Sequence, residues 1–248
     1  MGGFTVMRES RLTLAGLDGA DVCRREVIAT GMLLLAPAII AASPAPDARL
    51  RAFLLKALDE PDRAQRKALA VRTIGATPAD PATADVPALL LAVGAIGMAA
   101  RLSSLNESVS RGYARTGRTM IDALLRRAPA VAWSWALDGM WHVEAIRRGG
   151  MLARTFLGAD LTRGIASLDR ATAAAPADTA LALAAAVTLL SHDPDRQRAR
   201  AERLLAAAAN PGADAPAGAS AVAALASDLR RALASSPAGA KSMSINIF

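Results

Sequence analysis

The residues best suited to chemistry lie in one short stretch of the chain. Trp133, Trp135 and Trp141 are the only tryptophans, and Asp138 and His142 lie between and beside them. On a helix Asp138 and His142 share a face, so they could pair, and an Asp–His pair can tune a base or hold a metal. Tryptophan gives a large contact area at low entropic cost, so the three rings predict either a binding groove or the filling of a wide space in the core.

The rest of the chain does not complete a catalytic or metal centre. Cys23 is the only cysteine and His192 the only other histidine, and neither has ligand spacing to His142. The sequence has no G-x-S-x-G elbow and no phosphate-binding glycine loop, and Gly149 with Gly150 predicts the end of a helix. We therefore expect a protein without metal or cofactor that binds rather than catalyses.

The composition predicts that helices position these residues. The chain is 53% hydrophobic but only 3% aromatic, and alanine and leucine, which are strong helix formers, supply most of the apolar content. Residues 88–102 form an apolar run that is too short to span a bilayer, and they predict a buried helix. Strand-like alternation occurs only in residues 236–248, which we expect to be a flexible tail or an edge strand on a partner.

The N-terminal part has the order of an export signal. Arg24 and Arg25 precede an apolar block at residues 27–42, and small residues and a proline-rich run follow. The block is shorter than the ~20 residues of a membrane span and contains Pro37. This order of charged, apolar and small residues predicts a signal over residues 1–43.

The same residues resemble a bacterial twin-arginine signal, in which two arginines precede a residue of any type and then apolar positions. Arg24 and Arg25 match the pair, and Val27 and Ile28 match the apolar positions. The resemblance implies a periplasmic protein. Ordinary secretion, an uncleaved anchor in the inner membrane and a structural helix are the alternatives.

After the signal, residues 44–87 predict two helices and a linker, and residues 88–235 predict a helical array. In this array small residues, an apolar residue and a proline recur at set spacings, and the clearest set is Gly164, Leu168, Ala171 and Pro176. Pro211 follows Pro176 at close to a ~34-residue period. The pattern resembles the second helix of a tetratricopeptide (TPR) repeat, whose small residues let two antiparallel helices approach closely. The resemblance implies an all-α, TPR-like array, with an irregular helical bundle as the alternative.

A second resemblance concerns function. Residues 85–103 and the helices that follow resemble the periplasmic T-component of TRAP transporter systems, and Asp85, Val86, Pro87 and Ala88 match its repeat opening. That family has a TPR-like fold and associates with a substrate-binding protein, although its usual lipoprotein anchor is missing here. The resemblance implies a role in the uptake of a small hydrophobic or acidic ligand.

The function hypotheses concern binding. The first is a periplasmic scaffold for a protein partner, and the second is an accessory protein that binds a small ligand beside a substrate-binding protein. An enzyme is a distant third, and self-association into a homo-oligomer is left open. The net charge of +7 comes from 29 basic and 22 acidic residues that are interleaved, without a basic stripe or stacking aromatics, so we do not expect nucleic-acid binding.

Overall fold

The computed structural model describes residues 45–78, 80–212 and 218–247, and most of these residues are helical. These ranges contain eleven helices and no strand, so the prediction of an all-α fold is confirmed for them. The helices are α1 (Ala48–Asp59), α2 (Arg63–Gly75), α3 (Val86–Leu102), α4 (Leu105–Ser110), α5 (Tyr113–Arg127), α6 (Ala132–Leu157), α7 (Leu161–Ala174), α8 (Thr179–His192), α9 (Arg198–Ala209), α10 (Ala219–Ser235) and α11 (Pro237–Ile247).

Short polar side chains begin five of these helices. Asp62, Asp85, Ser104, Asp160 and Asp178 each accept a hydrogen bond from a backbone N–H in the first turn of the helix that follows. The first N–H groups of a helix have no partner within it, so each cap is worth about 1 kcal/mol. Helix starts are therefore encoded locally, in an otherwise alanine-rich chain.

Two central helices organise the core. Helix α3 packs against α1, α2, α5 and α6, and α8 packs against α6, α7, α9, α10 and α11. Ten of the 17 residues of α3 and twelve of the 14 residues of α8 are buried, so both are apolar on nearly every side. Residues 88–102 thus form the buried helix that the sequence predicts. No helix in the described ranges combines the length and the apolar character needed to cross a bilayer.

Helices α6 and α7 run antiparallel and approach each other most closely at two glycines. A Cβ atom at Gly139 would lie 2.7 Å from the carbonyl oxygen of Gly164, and a Cβ atom at Gly164 would lie 2.8 Å from the Cβ of His142. Real Cβ atoms do not approach other atoms this closely, so both positions require glycine. The small residue predicted at position 164 does allow close contact between neighbouring helices.

Helix α6 bends sharply at Gly150, where the backbone has φ +52° and ψ −126°. This left-handed conformation is open to glycine at little cost, because glycine has no Cβ. The sequence analysis expected Gly149 and Gly150 to end the helix. The non-helical backbone at Gly150 does interrupt the helix at this point, and a second helical segment, which we include in α6, follows to Leu157.

The C-terminal residues form α11 where the sequence analysis expected a flexible tail or an edge strand. Ala240, Ser244 and Ile247 recur at helical spacing and are buried, and the helix packs on α8 and α10. The alternation of Met243, Ile245 and Ile247 suggested a strand, but the small residues Ala240 and Ser244 let a helix lie close to its neighbours.

Several basic side chains bind backbone carbonyls at the ends of helices. Arg66 and Arg101 donate to the last turn of α11, Arg148 to the end of α3, Arg198 to the end of α10, and Lys241 to the last residue of α8. The last carbonyls of a helix have no partner within it and carry partial negative charge. These contacts therefore fasten helix ends to neighbouring helices.

Candidate functional site

A cavity of about 590 Å³ lies among α1, α3, α4, α5, α6 and α8. Its walls are mainly apolar and include Val93, Ile96 and Met98 of α3 and Leu137 and Met140 of α6. Ligand sites in proteins are typically concave, mostly apolar spaces of ~300–1,000 Å³ with a few polar groups. The cavity is therefore the candidate binding site.

Two of the three tryptophans line this cavity. Trp133 is buried and its indole N–H donates to Asp178 Oδ2 at 2.9 Å, while the Trp141 indole N–H donates to the carbonyl oxygen of Ala114 at 2.9 Å. With both N–H groups bonded to protein, the two rings are held in place as walls. Trp135 does not line the cavity. Its ring lies 3.7 Å below the Arg170 guanidinium.

Charged groups in the cavity wall are mostly positive. Among the residues that the structure describes, Arg101, Arg115 and Arg148 line the cavity, and Glu144 is the one carboxylate that does so. Arg147 binds both oxygens of Glu144, at 2.9 and 2.5 Å. Burial on its own would raise the pKa of Glu144, but the Arg147 hydrogen bond and the nearby guanidinium charges hold that pKa below its ordinary value. The wall therefore favours an anionic group.

Asp138 and His142 share a face, as their spacing predicts, but they do not line the cavity. Asp138 is fully buried and accepts hydrogen bonds from Arg118 Nη1 and from Ser167 Oγ, both at 2.7 Å. His142 Nε2 lies 3.7 Å from the Asp138 carboxylate, which is too far for a hydrogen bond. Arg118, from the preceding helix, therefore takes the role that the sequence analysis gave to His142.

The hydrogen bond at Nδ1 determines which ring nitrogen of His142 carries the proton. Nδ1 accepts a hydrogen bond from the backbone N–H of Asp160 at 3.0 Å, so in the neutral ring Nε2 carries the proton. Burial lowers the pKa of His142, against the raising effect of Asp138, and Arg163 and Arg118 lower it further. The histidine thus joins α6 to the start of α7 as a neutral ring. In the described residues no group of three or more His, Cys, Asp or Glu side chains is placed to hold a metal ion.

The sequence does not predict the position of the cavity. Gly94 and Gly97 lie one helical turn apart on α3 and both line it. A Cβ atom at Gly97 would meet no atom within 4 Å, whereas one at Gly94 would lie 2.4 Å from Leu50 Cδ1. Gly97 in an apolar helix was the available signal, since it leaves space that a larger residue would fill. The export residues Arg24, Arg25, Val27 and Ile28 lie outside the described residues.

Comparisons with known proteins identify no relative of this chain. No protein-family model matches the chain, and neither a curated protein nor a solved structure matches it significantly.

Proposed function

We propose that the protein is an exported helical binding protein. In this proposal the cavity described above holds a small amphipathic molecule with an apolar body and an anionic head. The observation that carries the proposal is the 590 Å³ apolar cavity with three arginines and one carboxylate in its wall. This ligand class fits the second function hypothesis, an accessory protein for a small hydrophobic or acidic ligand.

The apolar wall would provide most of the binding energy. Each methylene group that leaves water for an apolar cavity gains about 0.8 kcal/mol, so an alkyl chain of moderate length can offset the entropy lost on binding. The arginines add selectivity for the head group, because a guanidinium binds carboxylate or phosphate oxygens in a planar fork. Trp133 and Trp141 make the binding measurable, since their indoles form part of the wall.

A protein-binding scaffold is the second candidate. The observation in its favour is the antiparallel packing of α6 on α7 at Gly139 and Gly164, which is the kind of close contact that a TPR-like unit requires. A TRAP-type system would supply a substrate-binding protein as the partner. The two candidates are compatible, because an accessory protein that holds a ligand must also receive it or pass it on.

We expect dodecanoate, below its micelle concentration, to change the tryptophan fluorescence in a saturable way. Dodecylamine has the same chain with a cationic head, and we expect it to bind roughly tenfold more weakly because the wall carries a net positive charge. Gly97→Leu places a side chain in the open space and should weaken dodecanoate binding roughly tenfold or more. The measurement is a fluorescence titration of wild type and variant.

Gly75→Leu is the matched control, because a Cβ atom at Gly75 also meets no atom within 4 Å but Gly75 does not line the cavity. Both variants should keep the helical circular dichroism of the wild type, since leucine is a better helix former than glycine by roughly 1 kcal/mol. Equal binding of dodecanoate by Gly97→Leu and wild type, or no saturable binding at all, would reject the cavity as the ligand site.

Export is tested by the paired change Arg24→Lys/Arg25→Lys. A twin-arginine signal is recognised by a receptor that requires the guanidinium pair, so we expect the precursor to stay in the cytoplasm even though the charge is unchanged. Cell fractionation with an immunoblot measures this. Arg8→Lys/Arg11→Lys, at the other two arginines of the same segment, should leave export intact. Export of the Arg24/Arg25 variant at the wild-type level would contradict the twin-arginine route.

A further inference from the structure

The entrance of the cavity carries an exposed apolar surface. Six large hydrophobic side chains are exposed in the described residues, and four of these line the cavity. A fifth, Met151, is adjacent to one of the four in the chain. We call these five residues the rim: Leu105, Val109, Met151, Leu152 and Phe156.

The rim is built from two separate helices. Leu105 and Val109 belong to the short helix α4, and the other three belong to the part of α6 that follows the bend at Gly150. Val109 is 71% exposed and Phe156 is 72% exposed, although both are large apolar residues. Contiguous exposed apolar surface on a soluble domain typically marks an interaction site.

The charge around the rim is positive. Arg111 and Arg115 follow α4, and Arg154 lies between the rim residues of α6. All three are exposed. Arg111 and Arg154 help to lower the pKa of Glu107 and Asp160, respectively. Glu107, the carboxylate on the α4 side, is bound by Lys67 at 2.6 Å. The α6 side has no acidic residue between Glu144 and Asp160. Apolar and cationic side chains are therefore exposed together.

We propose that the rim docks on the surface of an anionic lipid bilayer. Leucine, methionine and phenylalanine side chains enter the boundary between head groups and acyl chains, while arginines bind anionic head groups. A second copy of the chain fits less well, because a twofold contact between two rims would bring two positively charged surfaces together. Docking goes beyond the proposed cavity ligand and does not require the cavity to be filled. It would place the entrance of the cavity against the source of an amphipathic molecule.

A local reporter tests this in the full chain. Residues 27–42 are themselves apolar, so total vesicle binding would not isolate the rim. Cys23→Ser removes the one cysteine, and Leu152→Cys then takes an environment-sensitive nitrobenzoxadiazole label. With vesicles of equal parts phosphatidylglycerol and phosphatidylcholine, we expect a several-fold rise in emission and a blue shift. Vesicles of phosphatidylcholine alone should give little change.

Val71→Cys carries the control label, because Val71 is 42% exposed on α2 and does not line the cavity. Its emission should not respond to either vesicle. Arg111→Gln, Arg115→Gln and Arg154→Gln together should weaken the response at position 152 roughly 100-fold, since each arginine near an anionic surface contributes about 1 kcal/mol. Val109→Cys gives an independent reporter on α4 if Leu152→Cys reduces the helical circular dichroism.

Two results would overturn the proposal. The first is a label at position 152 or 109 that responds to anionic vesicles no more than the label at position 71. The second is a response without vesicles that grows with protein concentration, which would assign the rim to a second copy. Gly97→Leu separates this proposal from the ligand proposal, because it should weaken dodecanoate binding and keep the response to vesicles.

Discussion

Gly139→Ala is expected to lower the free energy of unfolding by about 3 kcal/mol, the upper end of the usual cost of overpacking. The added methyl group would lie 2.7 Å from the Gly164 carbonyl oxygen and 2.6 Å from Leu168 Cγ. The first of these atoms is backbone, so α6 and α7 must move apart. Alanine also has the higher helix propensity, but that gain is at most about 1 kcal/mol. The clash therefore outweighs the gain.

Gly97→Ala is the matched control for this prediction. It makes the same substitution inside a helix, but the new Cβ atom meets no atom within 4 Å. We expect its stability to be unchanged or up to about 1 kcal/mol higher. Urea denaturation followed by circular dichroism measures both variants. A Gly139→Ala protein as stable as Gly97→Ala would mean that the helices separate easily and that the contact is not needed.

Asp178→Ala is expected to cost about 3–4 kcal/mol, because the Asp178 carboxylate joins three helices. It binds Arg51 of α1, accepts the indole N–H of Trp133 of α6 at 2.9 Å, and caps α8 by accepting from Leu181 N–H at 3.0 Å. Its side chain is only 4% exposed. The cap contributes about 1 kcal/mol and an unpartnered buried indole N–H costs about 1–3 kcal/mol. Loss of the Arg51 contact adds less, because Arg51 is 28% exposed and keeps Asp47 as a partner.

Arg51→Met tests how the contribution of Asp178 divides between the ion pair and the two buried hydrogen bonds. It removes the ion pairs of Arg51 with Asp178 and with Asp47 but leaves the cap and the tryptophan bond. Both carboxylates are largely buried but Arg51 is partly exposed, so we expect a cost of about 1–2 kcal/mol, less than that of Asp178→Ala. Thermal or urea unfolding of the two single variants and the double variant gives the coupling between Arg51 and Asp178. An Arg51→Met variant as unstable as Asp178→Ala would show that the ion pair, and not the two buried hydrogen bonds, carries the contribution of Asp178.

The sequence predicts the helical elements well because their signals are local. The apolar run of residues 88–102 lies within one element, and caps such as Asp85 and Asp160 bind the backbone of the next turn. The prediction fails for α11, where alternating apolar residues suggested a strand. Burial of Ala240 and Ser244 depends on α8 and α10, which no local pattern describes.

The candidate site is harder to predict because its features depend on distant residues. Gly139 and Gly97 are both helical glycines in apolar surroundings, yet one lies against backbone and the other faces open space. A glycine has no side chain to show this difference in a sequence pattern. The spacing of Asp138 and His142 correctly predicts a shared face, but Arg118 reaches the carboxylate from another helix and takes His142's place. The clustering of the three tryptophans predicts a groove or a wide space in the core, but it does not show that Trp133 and Trp141 line the cavity and Trp135 does not.

The basic side chains that fasten the helix ends change what the net charge means. In a hydrogen bond from a guanidinium to a carbonyl oxygen, only the guanidinium has a formal charge. A count of acidic and basic residues therefore does not show that such a bond exists. Counting acids against bases thus understates the internal cohesion of this protein, because these side chains join helices while they keep their full positive charge. Bonds of this kind also differ from surface ion pairs in their response to dissolved salt, because the acceptor is a neutral dipole and not an ion. In this protein, some of the basic residues that give a high isoelectric point join helices, and others are exposed at the surface.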